Sequence, residues 1–306
     1  MIMNIEWKGH CGEVLHQVKG YDVIECESCG FKHIIPIPGR DELDKIYREE
    51  YYTQEKPLYL ERFREDQGWW NLVYDERYDT FESLMYENRR RILDVGSGPG
   101  FFLLRGKERG WDTLGIEPST EAVEHSRSLG LNIVEDFLDD KTAAKLGKFD
   151  VVHMSEVLEH VSNPKEMLEL AHNLLNPGGL VCVVVPNDYN PIQKILTSYF
   201  GYSPWWVAPP HHINYFDFIS LCNLFKKVGF EPVYQEATFP IDIFLLMGDN
   251  YIGNDELGRK CHAKRKQLEL NIDQAKCSLH KREIYRQLAD WGIGREVCIV
   301  GKRIKQ

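Results

Sequence analysis

The sequence predicts an α/β fold, a mostly parallel sheet covered on both faces by helices. Three observations point to it. From Arg91 onward, short apolar runs alternate with amphipathic stretches. The first run leads into a glycine-rich loop, Asp94-Val95-Gly96-Ser97-Gly98-Pro99-Gly100, and the next run ends on an acid, Glu117. Sheets of this kind bind ligands at the carboxyl ends of their strands, beside the helix starts.

The elements follow in order. Residues 1–40 are rich in Gly and Cys and close on Ile35-Pro36-Ile37-Pro38-Gly39, which predicts a small module ended by an extended segment. Residues 41–88 are charged, aromatic and helix-like, with Asp41 as the expected N-cap. Their aromatics include Tyr47, Tyr51, Tyr52, Trp69, Trp70, Tyr74 and Tyr78. Residues 89–306 carry the alternation. Strands are expected at Ile92–Val95, Thr113–Ile116, Leu131–Val134, Phe149–Met154 and Leu180–Val185. Helices are expected at Phe101–Arg109, Thr120–Leu129, Pro164–Leu175 and Phe218–Val228. A strand at Glu231–Phe239, a charged helical insertion at about 254–290 and a last strand at Glu296–Gly301 complete the chain. The insertion holds Arg259-Lys260, Lys264-Arg265-Lys266 and Lys281-Arg282 interleaved with acids, the pattern of a mixed-charge, solvated helix pair. Its place between the last two strands suits it to cover a pocket or to form a dimer contact.

Composition narrows the function. The 306 residues include 37 Lys and Arg against 47 Asp and Glu, a formal net charge of -10. Such a surface repels phosphate backbones and anionic lipid, so neither a nucleic acid nor a membrane surface is the expected partner. No apolar run approaches the about 18 residues of a membrane span. The longest, Leu180–Val185 and Ile243–Met247, are strand-sized. The first residues lack a basic segment followed by an apolar one, so a cytoplasmic location is expected. In that compartment the eight cysteines are expected as thiols or metal ligands.

Alternate glycines at a strand-to-helix junction let the backbone approach a ligand closely. The spacing G-x-G-x-G departs from a dinucleotide fingerprint, whose third glycine would fall at Phe101. An acid at the end of the next strand suits both hydroxyls of a ribose. Together they indicate a nucleoside-containing ligand.

The run Ile92–Gly100 resembles the first motif of the class I S-adenosylmethionine-dependent methyltransferases. Four further segments are similar in order and spacing: Glu117-Pro118-Ser119, Glu135-Asp136-Phe137, Phe149–His160 and Leu175–Leu180. The resemblance covers roughly residues 90–235 and the final strand, and it implies a Rossmann-like sandwich of seven strands, the last antiparallel. It also implies roles. Asp94, Gly96, Ser97, Gly98 and Gly100 would hold the methionyl part of S-adenosylmethionine. Glu117, beside Pro118, would bind the ribose. Asp136 would accept from the adenine amino group, with Phe137 beside the ring. Ser155 and Glu156 would line the floor near the sulfonium.

The place where amine-directed nucleic-acid enzymes of this class carry Asn/Asp-Pro-Pro-Tyr/Phe holds Ser155-Glu156-Val157-Leu158 here. With the acidic charge, that favours a small-molecule acceptor. The long segment Tyr202–Phe216, with Trp205, Trp206, His211, His212 and Tyr215, is expected to cover the acceptor pocket. His211, His212 and His160 are the candidate proton acceptors, each with packing or helix capping as the competing role.

Cys26-Glu27-Ser28-Cys29-Gly30 is a C-x-x-C knuckle, the half-site of a zinc ribbon. Cys11 is the expected third ligand. His16 or His10 completes the set, with His33 a further candidate. The module resembles the cysteine-containing heads of some bacterial sugar and natural-product methyltransferases, and a sugar or glycan precursor is the acceptor that this likeness implies. The expected protein is therefore a methyltransferase, monomeric or homodimeric, with a zinc-ribbon-like head. The competing reading is a non-catalytic cofactor-binding module that docks a protein or RNA.

Overall fold

The computed structural model describes residues 3–45, 59–85 and 90–304. Tyr47, Tyr51 and Tyr52 of the expected lead-in lie outside those residues, as does the side chain of Asp41.

The N-terminal module is an antiparallel sheet of β1 (Asn4–Trp7), β2 (His10–Val18), β3 (Tyr21–Cys26) and β4 (Phe31–Ile35). Two-residue turns at Lys8-Gly9 and Lys19-Gly20 close the first two hairpins. All four turn residues have positive φ, the geometry that matches the twist of the flanking strands. A short helix, α1 (Arg40–Lys45), begins one residue ahead of the expected cap. Next among the described residues come α2 (Tyr59–Glu65) and the long α3 (Gln67–Leu84).

The catalytic-sized domain alternates as expected. Its strands are β5 (Arg91–Val95), β6 (Asp112–Glu117), β7 (Asn132–Glu135), β8 (Phe149–Ser155), β9 (Leu175–Pro186), β11 (Phe230–Ala237) and β12 (Glu296–Arg303). They form one sheet in the order β11-β12-β9-β8-β5-β6-β7, with β12 antiparallel to both neighbours. The helices between them are α4 (Phe101–Glu108), α5 (Thr120–Ser128), α6 (Asp140–Leu146), α7 (Pro164–Leu174), α8 (Pro191–Phe200) and α9 (Phe218–Val228). Capping sets their starts. Asn163 precedes Pro164 at the head of α7, and Asp217 accepts from Ser220 N–H at 2.7 Å at the head of α9. The apolar run Ile243–Met247 is not a strand. It holds a short helix, α10 (Ile243–Leu246), between Pro240 and Gly248. The insertion folds as α11 (Asp255–Gln274) and α12 (Ser278–Asp290).

Strand alternation sorts the sheet into two faces. Leu93, Val95, Val152, Met154, Val183 and Ile299 pack beneath α7 and α9. Ile92, Val151, Leu180, Val184, Cys298 and Val300 pack beneath α3 and α4. On that second face Tyr78 of α3 lies against Gly106 of α4, and a Cβ at Gly106 would stand 2.1 Å from the Tyr78 hydroxyl. Arg105 of α4 and Arg109 at its C-cap both pair with Asp75 of α3, at 2.6 and 3.0 Å.

The insertion is solvated on one face only. It docks on α3 and β11, where Lys281 pairs with Glu76 at 2.8 Å and Arg282 with Glu236 at 3.2 Å. Lys281 and Arg265 are buried. The long segment after α8 also differs from expectation. Its Asn214–Tyr215 forms β10, which adds to the free edge of β4. Trp206, Ile213 and Tyr215 join Val23, Ile34 and Leu43 in one buried cluster, with Trp205 packed against it. These aromatics therefore bind the N-terminal sheet to the larger domain. The alternating apolar residues of β3 and β4 supply the other half of that contact.

Candidate active site

A cavity of about 590 Å³ opens at the carboxyl ends of β5, β6 and β8. Of the residues expected to hold the cofactor, Asp94, Gly96, Ser97, Gly98, Glu117, Pro118, Asp136, Phe137, Ser155 and Glu156 all line it. Gly100 does not. Its φ of 83° starts α4, and a Cβ there would meet Ser126 Oγ and Leu131 Cδ1 at 2.6 Å. Gly100 thus serves helix-to-helix packing behind the loop rather than approach to a ligand. Gly96 is the position where bulk is excluded beside the cavity: φ is 67° and a Cβ would lie 2.8 Å from Val157.

Glu117 ends β6 and is 5% exposed. Its Oε2 accepts from Gly98 N–H at 2.8 Å and its Oε1 from Ser119 N–H at 3.0 Å. The carboxylate thus ties the glycine loop to the next helix start. Burial pushes its pKa up to about 7, against the opposing pull of the two backbone donors. Asp136 follows β7 and accepts from Phe137 N–H at 2.9 Å and from Thr142 Oγ1 at 3.3 Å. Glu156, just after β8, has φ of 54°, a left-handed conformation that is costly for a residue with a Cβ.

The sequence did not single out His153. It stands directly across from Asp94 in the β5–β8 register, and its Nδ1 lies 2.7 Å from Asp94 Oδ1. Both are buried, and the ring stacks on Phe102 at 4.1 Å. The pair fixes the Asp94 carboxylate at the root of the loop. The alternation of β8, His153 two residues before Ser155, was the available signal.

The three candidate histidines separate. His160 lines the cavity, whereas His211 and His212 are not among its lining residues. His160 Nδ1 donates to the carbonyl of His211 at 2.7 Å, and its ring meets His212 edge-on at 5.1 Å. The β10 pairing places His211 and His212 beside the N-terminal sheet, and of the three only His160 lines the cavity. Trp205, Trp206 and Tyr215 are likewise absent from the cavity wall. The far wall is instead built by Trp69 and Arg77 of α3, Arg265 and Glu269 of α11, and Lys281 of α12. These were legible as helix residues, but not as neighbours of one strand-end cavity.

A second cluster lies in the N-terminal sheet. His10, Cys26, Cys29 and His33 place one ligand atom each within 4.8 Å of one another. His10 Nδ1 is 3.3 Å from Cys29 Sγ and 3.8 Å from Cys26 Sγ. His33 Nδ1 faces the carbonyl of Ile34 at 3.0 Å, which leaves the buried Nε2 without a partner and directed to the set. Burial holds the His33 pKa down to about 4, so the ring is neutral, the form a metal needs. The expected ligands Cys11 and His16 are corrected. Period two puts Cys11 on the other face of β2 from His10, where it faces Ser28 Oγ at 3.8 Å. A bulge between Val14 and His16 reverses the parity again, and His16 stacks on Tyr189 at 5.7 Å.

Comparisons agree with this geometry. A protein-family profile described as a methyltransferase domain matches residues 49–235, more than half of the chain. The ubiquinone biosynthesis O-methyltransferase of Haemophilus ducreyi is 35% identical over 178 residues, 50% of this chain and 75% of that protein. The enzyme of the same name from Actinobacillus pleuropneumoniae is 28% identical over the same spans. Among solved structures, the plantazolicin methyltransferase BpumL in complex with SAH superposes with a TM-score of 0.50. It is 14% identical and is matched over 86% of this chain and 94% of its own, a likeness of fold alone.

Proposed function

The chain belongs to the methyltransferase-domain family, and from that premise we propose how its cavity carries out S-adenosylmethionine-dependent methyl transfer to an oxygen of a small molecule. The observation that carries the assignment is convergence. Residues from the ends of β5, β6, β7 and β8, up to 62 positions apart, meet around one cavity and carry the groups a nucleoside sulfonium needs.

Glu117 takes the two ribose hydroxyls, Asp136 takes the adenine amino group with Phe137 beside the ring, and Asp94 with Gly96–Gly98 holds the methionyl end. The bound cofactor supplies a methyl group on a cationic sulfur, so the chain has chiefly to align an acceptor and keep water out. Such positioning is worth up to about 7–11 kcal/mol in favourable cases. His160 is the proton acceptor. With Nδ1 donating to the His211 carbonyl, the neutral ring carries its lone pair on Nε2. His211 and His212 keep that tautomer and orientation. Glu156 shapes the floor beside it.

The relatives' names speak of transfer to oxygen in ubiquinone biosynthesis. The sugar or glycan-precursor acceptor finds no support in them, and a hydroxyl on a small aromatic fits the Trp69, Trp70 and Tyr74 side of the cavity better. Residues 1–40 form a zinc-held head through His10, Cys26, Cys29 and His33, clamped to the catalytic domain by β10. The α3 helix and residues 254–290 roof the acceptor end of the larger domain. No helix among the described residues is long and apolar enough to cross a membrane.

The test is transfer of labelled methyl from S-adenosylmethionine to a panel of catechols and phenols. Label should enter an acceptor with the wild type and fall at least tenfold with Glu117→Ala. A protein that binds no S-adenosylhomocysteine and labels nothing removes the proposal.

A further inference from the structure

We propose that Arg265 anchors an acceptor subsite for an anionic oxygen group, a carboxylate or a phosphate. The proposal rests on reading the cavity as the methyltransferase site, with the cofactor on the glycine loop.

Arg265 projects from α11 into the cavity wall and is only 7% exposed. Its guanidinium carbon sits 4.7 Å from the centre of the Trp69 ring. Beyond that contact it makes no hydrogen bond and no ion pair among the described residues, and its Nε is buried without an acceptor. A buried guanidinium whose N–H groups have no acceptor is costly, and Glu296 acts on it through space without a hydrogen bond.

The acids of the same wall are already engaged. Glu76 Oε2 accepts from Lys281 Nζ at 2.8 Å, and its Oε1 is buried without a hydrogen-bond partner. Glu236 accepts from the Tyr234 hydroxyl at 2.8 Å and pairs with Arg282. Glu269 accepts from Trp69 Nε1 at 2.5 Å and from the Tyr285 hydroxyl at 2.8 Å. Burial and the nearby Glu156 raise the pKa of Glu296, against the opposing pull of Arg265 and Arg295. A second cation stands on the same cavity. Among the described residues Arg77 Nη1 has only the Cys182 sulfur as hydrogen-bond acceptor, at 3.4 Å, and sulfur is a weak one.

The geometry suits recognition of an anion. The bond to Glu269 holds the Trp69 ring in place, and that ring covers one face of the Arg265 guanidinium. The edge of the guanidinium, with its fork of N–H donors, is left for a planar carboxylate or a phosphate oxygen pair. An acceptor so held would carry its anionic group on the α3–α11 wall and its hydroxyl toward His160.

The test is binding, independent of turnover. The protein loaded with S-adenosylhomocysteine is titrated at constant ionic strength with benzoate and with benzamide, its neutral counterpart, following heat and tryptophan fluorescence. Benzoate should bind about 10- to 100-fold more tightly, as expected for charge-assisted hydrogen bonds. Arg265→Gln should bring benzoate to the benzamide level while S-adenosylhomocysteine affinity stays within threefold, roughly the noise of such comparisons. Inorganic phosphate as competitor sorts the two sources. Displacement of benzoate at lower concentration than benzoate's own Kd assigns phosphate, and weaker displacement assigns carboxylate. Equal affinity for benzoate and benzamide in the wild type overturns the proposal, and needs no variant to fold. Unchanged benzoate affinity in Arg265→Gln overturns it as well. Failure of the wild type to bind S-adenosylhomocysteine would instead strike the methyltransferase reading.

Discussion

Replacing Glu117 by Gln removes one negative charge from the floor of the cavity and almost no volume. In the free protein Glu117 already accepts from Gly98 N–H at 2.8 Å and Ser119 N–H at 3.0 Å. Each oxygen has further lone-pair capacity, which a ribose diol would fill. A hydrogen bond to a charged acceptor is worth about 1.5–3 kcal/mol, so losing two weakens binding by about 100-fold or more. The amide also turns an N–H group toward one backbone donor, which adds to the loss. A pH signature separates this effect from a general disturbance. Burial pushes the wild-type carboxyl up to about 7, so near pH 5 it is mostly protonated in the free protein. Diol hydroxyls donate, so they favour the ionised form. Affinity for S-adenosylhomocysteine should therefore rise about tenfold per pH unit from 5 toward 7 and level off above it, with about one proton released on binding near pH 6. The linkage for folding runs the other way. With the folded pKa raised above 4.5, stability of the free protein falls as pH rises through that window. Calorimetric titration across pH 5–8 in two buffers of different ionisation enthalpy reads both slope and proton count. A flat wild-type profile, or a Gln variant with wild-type affinity, would refute the reasoning.

The other expectations concern separate parts of the molecule. Elemental analysis should find about one zinc per chain, as for a single four-ligand site. Cys29→Ser or His33→Ala should lose it, whereas Cys11→Ser and His16→Ala should keep it; the reverse pattern would restore the ribbon-like set. His160→Ala should lower methyl transfer by about 10²–10⁴-fold with S-adenosylhomocysteine affinity little changed, and should flatten the acid limb of the pH-rate profile. A smaller effect confined to acceptor KM would make His160 a positioning residue. Gly106→Ala drives a methyl group to 2.1 Å from the Tyr78 hydroxyl and should destabilise the fold by about 1–3 kcal/mol, read as a lower urea midpoint at unchanged slope.

The alternation of β5 to β9 with their helices was legible because the central strands are buried on both faces and each helix shows one apolar stripe. The residues around the strand-end cavity were legible for a related reason. Asp94, the glycines and Glu117 are bound to strand ends by local backbone geometry, and sequence position alone nearly fixes their place. The misses share another cause. His10 and His33 join Cys26 and Cys29 through strand parity, which depends on two turns and on a bulge at Val14/His16 that no composition reveals. Arg265 sits in the tract Lys264-Arg265-Lys266, where its neighbours pair with Asp249 and Asp66 on the surface. Only the docking of α11 on α3 turns it inward. Trp205, Trp206 and Tyr215 read as a lid because their loop is long and aromatic. The unfilled edge of β4, which takes them instead, belongs to a sheet that the sequence showed only as a cysteine-rich module.

The central claim is that S-adenosylmethionine lies over the glycine loop with its methyl group facing His160 and the α3–α11 wall. A crystal structure with S-adenosylhomocysteine tests it most directly. The account requires both ribose hydroxyls within hydrogen-bond distance of Glu117, the adenine amino group on Asp136, and the sulfur open to the side of Glu156 and His160. Density for the ligand anywhere else, or a ribose that leaves Glu117 bonded only to Gly98 and Ser119, would contradict it.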